Sequence, residues 1–182
     1  SVTVTPVNDA PIFITDSLPD VDENVTYNFS LDVIDIDDLE EDLVVTILSG
    51  PEWLTISELV LSGTPGDNDV GTSAVLLILT DGEISTSSSF ELTVNAVNDP
   101  PVATPGLTAT TDEDQSILIT LSGSDIDGDD LTFSADLVTE NGGSVTVEGP
   151  FATYTPAPND NGSDSFSFTV SDGELSDSAE VS

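Results

Sequence analysis

The sequence repeats itself once, with a period of about ninety residues. The motif VNDAP at residues 7–11 returns as VNDPP at residues 97–101, and DGE at residues 81–83 returns at residues 172–174. Three more pairs keep the same order: DEN 22–24 with DED 112–114, DIDD 35–38 with DIDG 125–128, and TP 64–65 with TP 155–156. Solenoid repeats are shorter, roughly 20–50 residues. The period therefore predicts two tandem domains, each long enough for a small β-sandwich core.

Each copy has the residue pattern of β-strands. Apolar and polar residues alternate from Val25 to Val33 in the first copy and from Phe166 to Val170 in the second, which is typical of half-buried strands. Clusters of Gly, Pro, Asn and Asp separate the apolar runs. The other predicted strands cover 43–48, 59–61, 74–79, 90–94, 117–121, 131–135, 145–147 and 151–154. We therefore predict an all-β fold of two tandem sandwiches with about seven strands each.

The repeat also predicts the domain boundaries. We expect one domain at residues 8–97 and another at residues 98–182. Residues 1–7 align with the end of the last strand of the first copy, so they are predicted to be the final strand of a preceding repeat or an exchanged strand. Ser182 aligns with Glu91, so the last strand of the second copy is predicted to be truncated. The expected partners are neighbouring repeats of the same array, or copies of the chain joined head to tail.

The charge composition excludes many functions. The chain has no Lys, Arg or His, but it has 36 Asp and Glu residues and a formal charge of −36. Without His and Cys, thiol nucleophiles, Ser-His-Asp triads and ordinary zinc sites are excluded. Without basic residues we expect no nucleic-acid partner, and no apolar run is long enough to predict membrane insertion. Clustered carboxylates therefore need an external counter-charge, and hard oxygen ligands favour Ca²⁺.

Asp-x-Asp motifs are the strongest candidates for cation ligands. They occur at residues 35–37 and 125–127, and Asp129 follows the second one. Calcium takes about six to eight oxygen ligands, so partners from other loops are required. The alternative interpretation is that Asp and Asn only stabilise turns, and for an isolated Asp81-Gly82 pair this alternative is favoured. In the 125–129 segment, repulsion between clustered carboxylates favours a metal ion.

The layout resembles cadherin repeats, in particular the bacterial cadherin-like, dystroglycan-type repeats of giant calcium-dependent surface and adhesin proteins. The motifs DEN, DIDD, TDG and VNDAP have the family's order. The first copy also has PEWLTI at 51–56 and LSGTP at 61–65, whereas the second has GGSV at 142–145 and is more similar to tandem repeats of bacterial adhesins. The resemblance covers essentially the whole chain, and it implies two cadherin/Ig-like Greek-key β-sandwiches.

The resemblance also implies calcium ions between consecutive domains. The ligands implied for the linker of the two copies are Glu23, Asp67, Asp69, Asn98, Asp99, Asp125, Asp127 and Asp172, with Asp129 beside them. The ligands implied for an equivalent site at the start of the first copy are Asn8, Asp9, Asp35, Asp37 and Asp81. At the far end of the second copy, the implied ligands are Glu113 and Asp160.

The predicted function is a calcium-stiffened spacer or stalk of a long extracellular bacterial surface protein, adhesin or filament. The alternative is an adhesion module that binds polysaccharide or associates with itself. Aromatic residues are only 5% of the chain, and the alternating positions of Tyr27, Phe29, Phe166 and Phe168 predict that they, like Trp53, belong to the core rather than to a sugar-binding face. An enzyme with two carboxylates is disfavoured because no acid is marked for a raised pKa, and the chain is predicted not to be an enzyme.

Overall fold

The computed structural model describes residues 2–5 and 7–182, and at Glu41 the backbone alone. The regular secondary structure of the described residues is almost entirely β-strand, and the chain divides into two compact units, Ser1–Val97 and Asn98–Ser182. The prediction of an all-β fold with two domains is confirmed. No described helix is long and apolar enough to cross a membrane.

The first unit packs two main sheets against each other. One sheet has the strand order β2-β9-β8-β5, the other has β3-β7-β6, and β1 pairs with β4. The strands are β1 Ile12–Phe13, β2 Val21–Asp22, β3 Tyr27–Ser30, β4 Val33–Ile34, β5 Val44–Ser49, β6 Thr55–Ser57, β7 Val60–Gly63, β8 Gly71–Thr80 and β9 Ser85–Asn95. Short 3₁₀ turns lie at Glu40–Asp42 and Asp67–Asp69.

The core of the first unit is built on strand alternation. Val75, Leu77 and Leu79 on β8 are completely buried, and every second residue of β8 faces the opposite sheet. Trp53 packs edge-to-face on the buried Tyr27, with ring centroids 6.0 Å apart. Trp53 therefore belongs to the core, as predicted, and does not present an open platform for a sugar.

The second unit repeats this plan with fewer residues. Its sheets have the strand orders β13-β16-β17, β11-β15-β14 and β10-β12. The strands are β10 Val102–Ala103, β11 Ile117–Thr120, β12 Gly123–Ser124, β13 Thr132–Ala135, β14 Ser144–Glu148, β15 Phe151–Thr155, β16 Phe166–Ser171 and β17 Ser176–Val181. Phe168 and Val170 on β16 are completely buried in its core.

The strands differ from the predicted ones mainly at their ends. The predicted strand from Val25 to Val33 is divided into β3 and β4, and two-residue strands raise the number in each unit above seven within the described ranges. Val2 and Val4 lie in no strand, and their side chains are 93% and 87% exposed. The predicted strand at residues 1–7 also includes Ser1 and Pro6, which lie outside the described residues.

Candidate metal centres

The first unit has an acidic cluster formed by two chain segments that follow strands of different sheets. Asp35 and Asp38 follow β4, and Asp81 follows β8. Oxygen atoms of these three carboxylates lie within 4.8 Å of one another. Asn8 joins the cluster, because its Nδ2 donates a hydrogen bond to Asp81 Oδ2 at 2.8 Å. The chain therefore brings three carboxylates and the Asn8 side-chain amide together from three distant segments, and we call this group cluster 1.

Turn hydrogen bonds fix the carboxylates of cluster 1. Asp35 Oδ1 accepts hydrogen bonds from the backbone N–H groups of Asp37 and Asp38, at 2.7 and 3.1 Å. Asp81 Oδ1 accepts in the same way from the N–H groups of Glu83 and Ile84, at 2.7 and 2.6 Å. These are the local bonds with which Asp stabilises turns. In Asp35 and Asp81 only Oδ1 is used for the turn, so Oδ2 of Asp81 can accept the hydrogen bond from Asn8 and Oδ2 of Asp35 is left without a described partner.

The second unit contains the same arrangement, which we call cluster 2. Asn98 Nδ2 donates to Asp172 Oδ2 at 3.0 Å. The N–H of Asp99 donates to Asp127 Oδ2 at 2.8 Å, just as the N–H of Asp9 donates to Asp37 Oδ2 at 2.8 Å in the first unit. Equivalent residues of the two copies thus make equivalent contacts, although each unit folds around its own core.

The acidic centre of cluster 2 is formed by one short segment. Oxygen atoms of Asp125, Asp127 and Asp129 lie within 4.8 Å of one another. Asp125 Oδ1 accepts from the N–H groups of Asp127 and Gly128, at 2.9 and 3.1 Å. Asp172 Oδ1 accepts from the N–H groups of the residues two and three positions further on, at 2.7 and 2.6 Å.

Each cluster contains one buried oxygen without a protein partner. Oδ2 of Asp35 and Oδ2 of Asp125 are both inaccessible to solvent and accept no hydrogen bond from the described residues. A buried carboxylate oxygen in this state is energetically costly unless a cation or a proton satisfies it. Its occurrence at equivalent positions of both copies therefore favours a cation over an accident of packing.

The electrostatics of the clusters follow from their geometry. Partial desolvation raises the pKa of Asp38 and of Asp129, and the neighbouring carboxylates of each cluster raise it further. In contrast, the pKa of Asp81 and of Asp172 is lowered, first by the backbone N–H three residues further on and also by the adjacent Asn side chain. Each cluster thus combines a carboxylate whose pKa is lowered with one whose pKa is raised by its acidic neighbours, and a divalent cation would reduce that repulsion.

Asp38 is a candidate ligand that the sequence did not reveal. The aligned residue of the second copy is Gly128, and the third acid of cluster 2 is Asp129, one position later. Asp37 is predicted as a ligand from the sequence. In the structure its Oδ2 accepts a hydrogen bond from the N–H of Asp9, and it is not one of the three acids of this group. The pair Asp37-Asp38 is visible in the sequence, but alignment of the two copies gives no reason to select Asp38 as a ligand.

Glu23 is the most deeply buried carboxylate in the described chain, with only 1% of its surface exposed. Its Oε1 accepts a hydrogen bond from the N–H of Val97 at 2.6 Å. Its Oε2 is buried and has no hydrogen-bond partner among the described residues. Glu23 therefore resembles Asp35 and Asp125, because each has one buried carboxylate oxygen without a described hydrogen-bond partner.

The remaining predicted ligands belong to no described group of three acids within their own unit. Asp67 accepts a hydrogen bond from Asn24 Nδ2 at 2.8 Å, and Asp69 accepts from the N–H of Gly66 at 2.9 Å. Glu113 is exposed, and it borders a cavity of about 350 Å³ in the second unit together with Asp160. Within either unit, none of these four acids belongs to a described group of three with oxygens inside 4.8 Å.

Two sequence families match the chain, one for each unit. Residues 10–95 match the family described as "Putative Ig domain", and residues 98–182 match the family described as "Bacterial Ig domain". No curated protein is similar enough in sequence to match the chain. Domains of these families and of the cadherin type are typically non-catalytic.

Solved structures with the same fold include cadherin ectodomains. Human protocadherin-24 EC1-2 is 14% identical, with a TM-score of 0.62 over 96% of this chain and 99% of that one. Protocadherin gamma B7 domains 1–4 are 16% identical, with a TM-score of 0.56 over 96% of this chain and 49% of that one. The endo-fucoidan hydrolase MfFcnA4 of glycoside hydrolase family 107 is 25% identical over 94% of this chain, with a TM-score of 0.47. The chain spans only 28% of that hydrolase.

Proposed function

Because the chain is a tandem pair of bacterial Ig-like, cadherin-like β-sandwich repeats, we propose that it is a calcium-stiffened spacer of a long extracellular bacterial surface protein. The fold fits an extracellular adhesive or structural role. One observation supports the calcium part of the proposal above all others. The same hydrogen bonds between Asn and Asp residues occur once in each unit, each time beside a buried Asp oxygen without a described partner.

The chemistry of the ligands favours calcium over other metals. Both clusters offer carboxylate and amide oxygens, and they contain no nitrogen or sulfur ligand of the kind that zinc prefers. In cluster 1, Asn8 Nδ2 donates a hydrogen bond to Asp81 Oδ2, so Asn8 Oδ1 could coordinate a cation. Calcium accepts irregular sets of about six to eight oxygens, with backbone carbonyls and waters among them, whereas magnesium demands a near-ideal octahedron.

Binding at cluster 2 would act on the connection of the two repeats. Asn98 and Asp99 follow Val97 directly in the chain, and both are tied to the cluster through Asp172 and Asp127. A cation held by these acids would restrict the backbone at residues 98–99. Pro100 and Pro101 come next and limit the backbone further. We propose that this restriction is the origin of the stiffening.

Glu23 is a further proposed calcium ligand. Its Oε2 is buried without a described partner, and its Oε1 already binds the N–H of Val97, next to the linker in sequence. A cation would satisfy this buried oxygen. The turn-forming acids Asp67 and Asp69, and the pair Glu113 and Asp160, stay predictions of the family resemblance.

Thermal unfolding with and without calcium tests the proposal. Extracellular modules bind calcium with dissociation constants of about 10⁻⁴–10⁻³ M. At about a hundred times the dissociation constant, each site stabilises the folded state by roughly 2.7 kcal/mol. We expect millimolar calcium to raise the melting temperature, EDTA to reverse the rise, and magnesium to have a much smaller effect. Identical melting curves in calcium and in EDTA would contradict the proposal.

Self-association is the alternative function that one observation favours. Val2 and Val4 alternate with polar residues and are almost fully exposed, as expected for a strand that could complete another sheet. Sedimentation velocity on the same samples distinguishes the two functions. A spacer stays monomeric in calcium at all protein concentrations, whereas an exchanging module forms larger species as its concentration rises. The polysaccharide alternative has less support, because Trp53 is packed against Tyr27.

A further inference from the structure

The chain contains five dipeptides that are chemically prone to spontaneous cyclisation. In such a dipeptide, the backbone nitrogen of a glycine attacks the side-chain carbonyl of the preceding Asn or Asp and closes a five-membered succinimide ring. Glycine favours the attack, because it has no Cβ and its backbone adopts many conformations. The five dipeptides are Asp81–Gly82, Asp127–Gly128, Asn141–Gly142, Asn161–Gly162 and Asp172–Gly173.

In four of these dipeptides the attacking N–H is already engaged. The N–H groups of Gly82, Gly128 and Gly173 donate to Thr80 Oγ1, Asp125 Oδ1 and Ser171 Oγ, each at 3.1 Å. The N–H of Gly142 donates to the carbonyl oxygen of Thr139, also at 3.1 Å. A glycine nitrogen held in this way must first break its hydrogen bond before it can attack.

Asn141 is restrained on its side chain as well. Its Nδ2 donates to the carbonyl oxygen of Ser163 at 2.7 Å, and its backbone N–H donates to Asp164 Oδ1 at 3.0 Å. The first bond restrains the side-chain amide and the second the backbone of Asn141, so cyclisation would have to break or distort them. Asn141–Gly142 is therefore protected in the folded state, although its sequence is the same as that of the other Asn-Gly pair.

Asn161–Gly162 has none of these restraints. It lies in the exposed connection of β15 and β16. Neither the Asn161 side chain nor the Gly162 N–H makes a hydrogen bond to any described residue. Both reacting groups are thus open to water and free to approach each other.

We propose that Asn161 is a site of spontaneous deamidation in the folded protein. The Gly162 nitrogen bonds to Asn161 Cγ, the Cγ–Nδ2 bond breaks, and ammonia leaves with the proton of the glycine amide. Water then opens the succinimide at either carbonyl, giving aspartate or isoaspartate. The overall reaction consumes one water and releases one ammonia, so no oxidant, reductant or enzyme is required.

The product adds one carboxylate to an edge that is already acidic. Asn161 borders the cavity of the second unit together with Asp112, Glu113 and Asp160. Asp160 is the counterpart of Asp69 in the first copy, where Asp67 supplies a second acid two positions earlier. Pro158 stands at the position that corresponds to Asp67, so deamidation of Asn161 would restore a second carboxylate beside Asp160.

The test compares the two Asn-Gly sites in the folded and the unfolded chain. The whole protein is incubated in mildly alkaline buffer, with or without urea, and is then cut with a protease specific for acidic residues, since trypsin has no site. Mass spectrometry measures conversion at each Asn, and isoaspartyl methyltransferase detects the isoaspartate product. In the folded chain we expect Asn161 to react roughly tenfold faster than Asn141, because it needs no hydrogen bond broken. In urea the two rates should become similar.

Two variants complete the test. Asn161→Gln should abolish the fast reaction, because glutamine would have to close a larger ring. Asn141→Gln is the matched control and should leave the rate at Asn161 unchanged. The proposal is overturned if Asn141 reacts as fast as Asn161 in the folded chain. It is also overturned if Asn161 of the folded chain stays intact over the time in which Asn161 of the unfolded chain is converted.

Discussion

Single aspartates serve two purposes in this protein, because the two oxygens of one carboxylate face different groups. In Asp35 and Asp125, Oδ1 accepts the backbone N–H bonds of a turn, and Oδ2 is buried without a described partner. Turn formation and metal binding were alternatives at the level of sequence. In the structure they are compatible, since the turn fixes the carboxylate in the orientation that exposes its second oxygen to the cluster.

Removing one charge at this position should abolish calcium stabilisation of the second unit. Asp125→Asn keeps the shape of the side chain and an oxygen for the turn, but it weakens the attraction for a divalent cation. We expect the calcium-dependent part of the melting temperature of the second unit to disappear. Asp136→Asn, which removes the same charge from an exposed residue outside the clusters, is the control. An equal loss in both variants would show that only net charge matters.

Asp164 offers a test of pH dependence away from the clusters. Partial desolvation raises its pKa, but hydrogen bonds from Thr139, Asn141 and Tyr154 outweigh this effect and hold the pKa below its ordinary value of 3.8. A lowered pKa means that the charged form stabilises the folded state at neutral pH. This contribution is lost as the pH falls from the ordinary value through the folded-state pKa.

Asp164→Asn should therefore destabilise the second unit at neutral pH by about 1–3 kcal/mol, the usual effect of losing hydrogen bonds to a charged group. Below the ordinary pKa of 3.8, the difference between variant and wild type should shrink. Urea unfolding of both proteins across this pH range measures the effect. A difference that stays constant with pH would show that the Asp164 charge has no part in it.

At the level of elements, β7 ends where the chain passes very close to Trp53. A Cβ placed on Gly63, whose φ is 157°, would lie 2.1 Å from the carbonyl oxygen of Trp53. No side chain fits there without displacing the backbone that carries Trp53, and Trp53 in turn packs on the buried Tyr27. The glycine thus couples the end of a strand to the aromatic part of the core.

Gly63→Ala should destabilise the first unit by several kcal/mol, because the added methyl group overlaps backbone atoms. Gly71→Ala is the control: its φ of 118° is also strained, but no atom lies within 4 Å of the added Cβ. Backbone strain alone costs about 1–3 kcal/mol. Chemical denaturation should therefore show a clearly larger loss for Gly63→Ala, and equal losses would contradict the proposed overlap.

The sequence predicted correctly those strands in which apolar and polar side chains alternate over many residues. The alternation along β8 and β16 follows directly from burial of every second residue. Two-residue strands such as β1 and β10 carry no pattern, since their pairing depends on residues distant in the chain.

The internal repeat located cluster 1 and cluster 2 but treated Glu113 as the equivalent of the buried Glu23. Glu113 is exposed instead, because burial depends on partners such as Val97 that alignment alone does not supply.

At the scale of the whole molecule, the charge of −36 with no basic side chain leaves the fold without internal compensation. Repulsion of like charges destabilises a compact state, and each of the two clusters brings oxygens of three carboxylates within 4.8 Å of one another. A bound divalent cation would lower the repulsion at these positions. The proposed calcium sites thus link the unusual composition to the positions where the structure gathers its acids.

The most direct test is a crystal structure of the 182-residue chain grown in calcium, with anomalous diffraction measured at a long X-ray wavelength. We predict one strong anomalous peak in each cluster, within bonding distance of Asp35 Oδ2 and of Asp125 Oδ2. The peaks should vanish from crystals soaked in EDTA. Well-ordered clusters without anomalous peaks at saturating calcium would contradict the central claim.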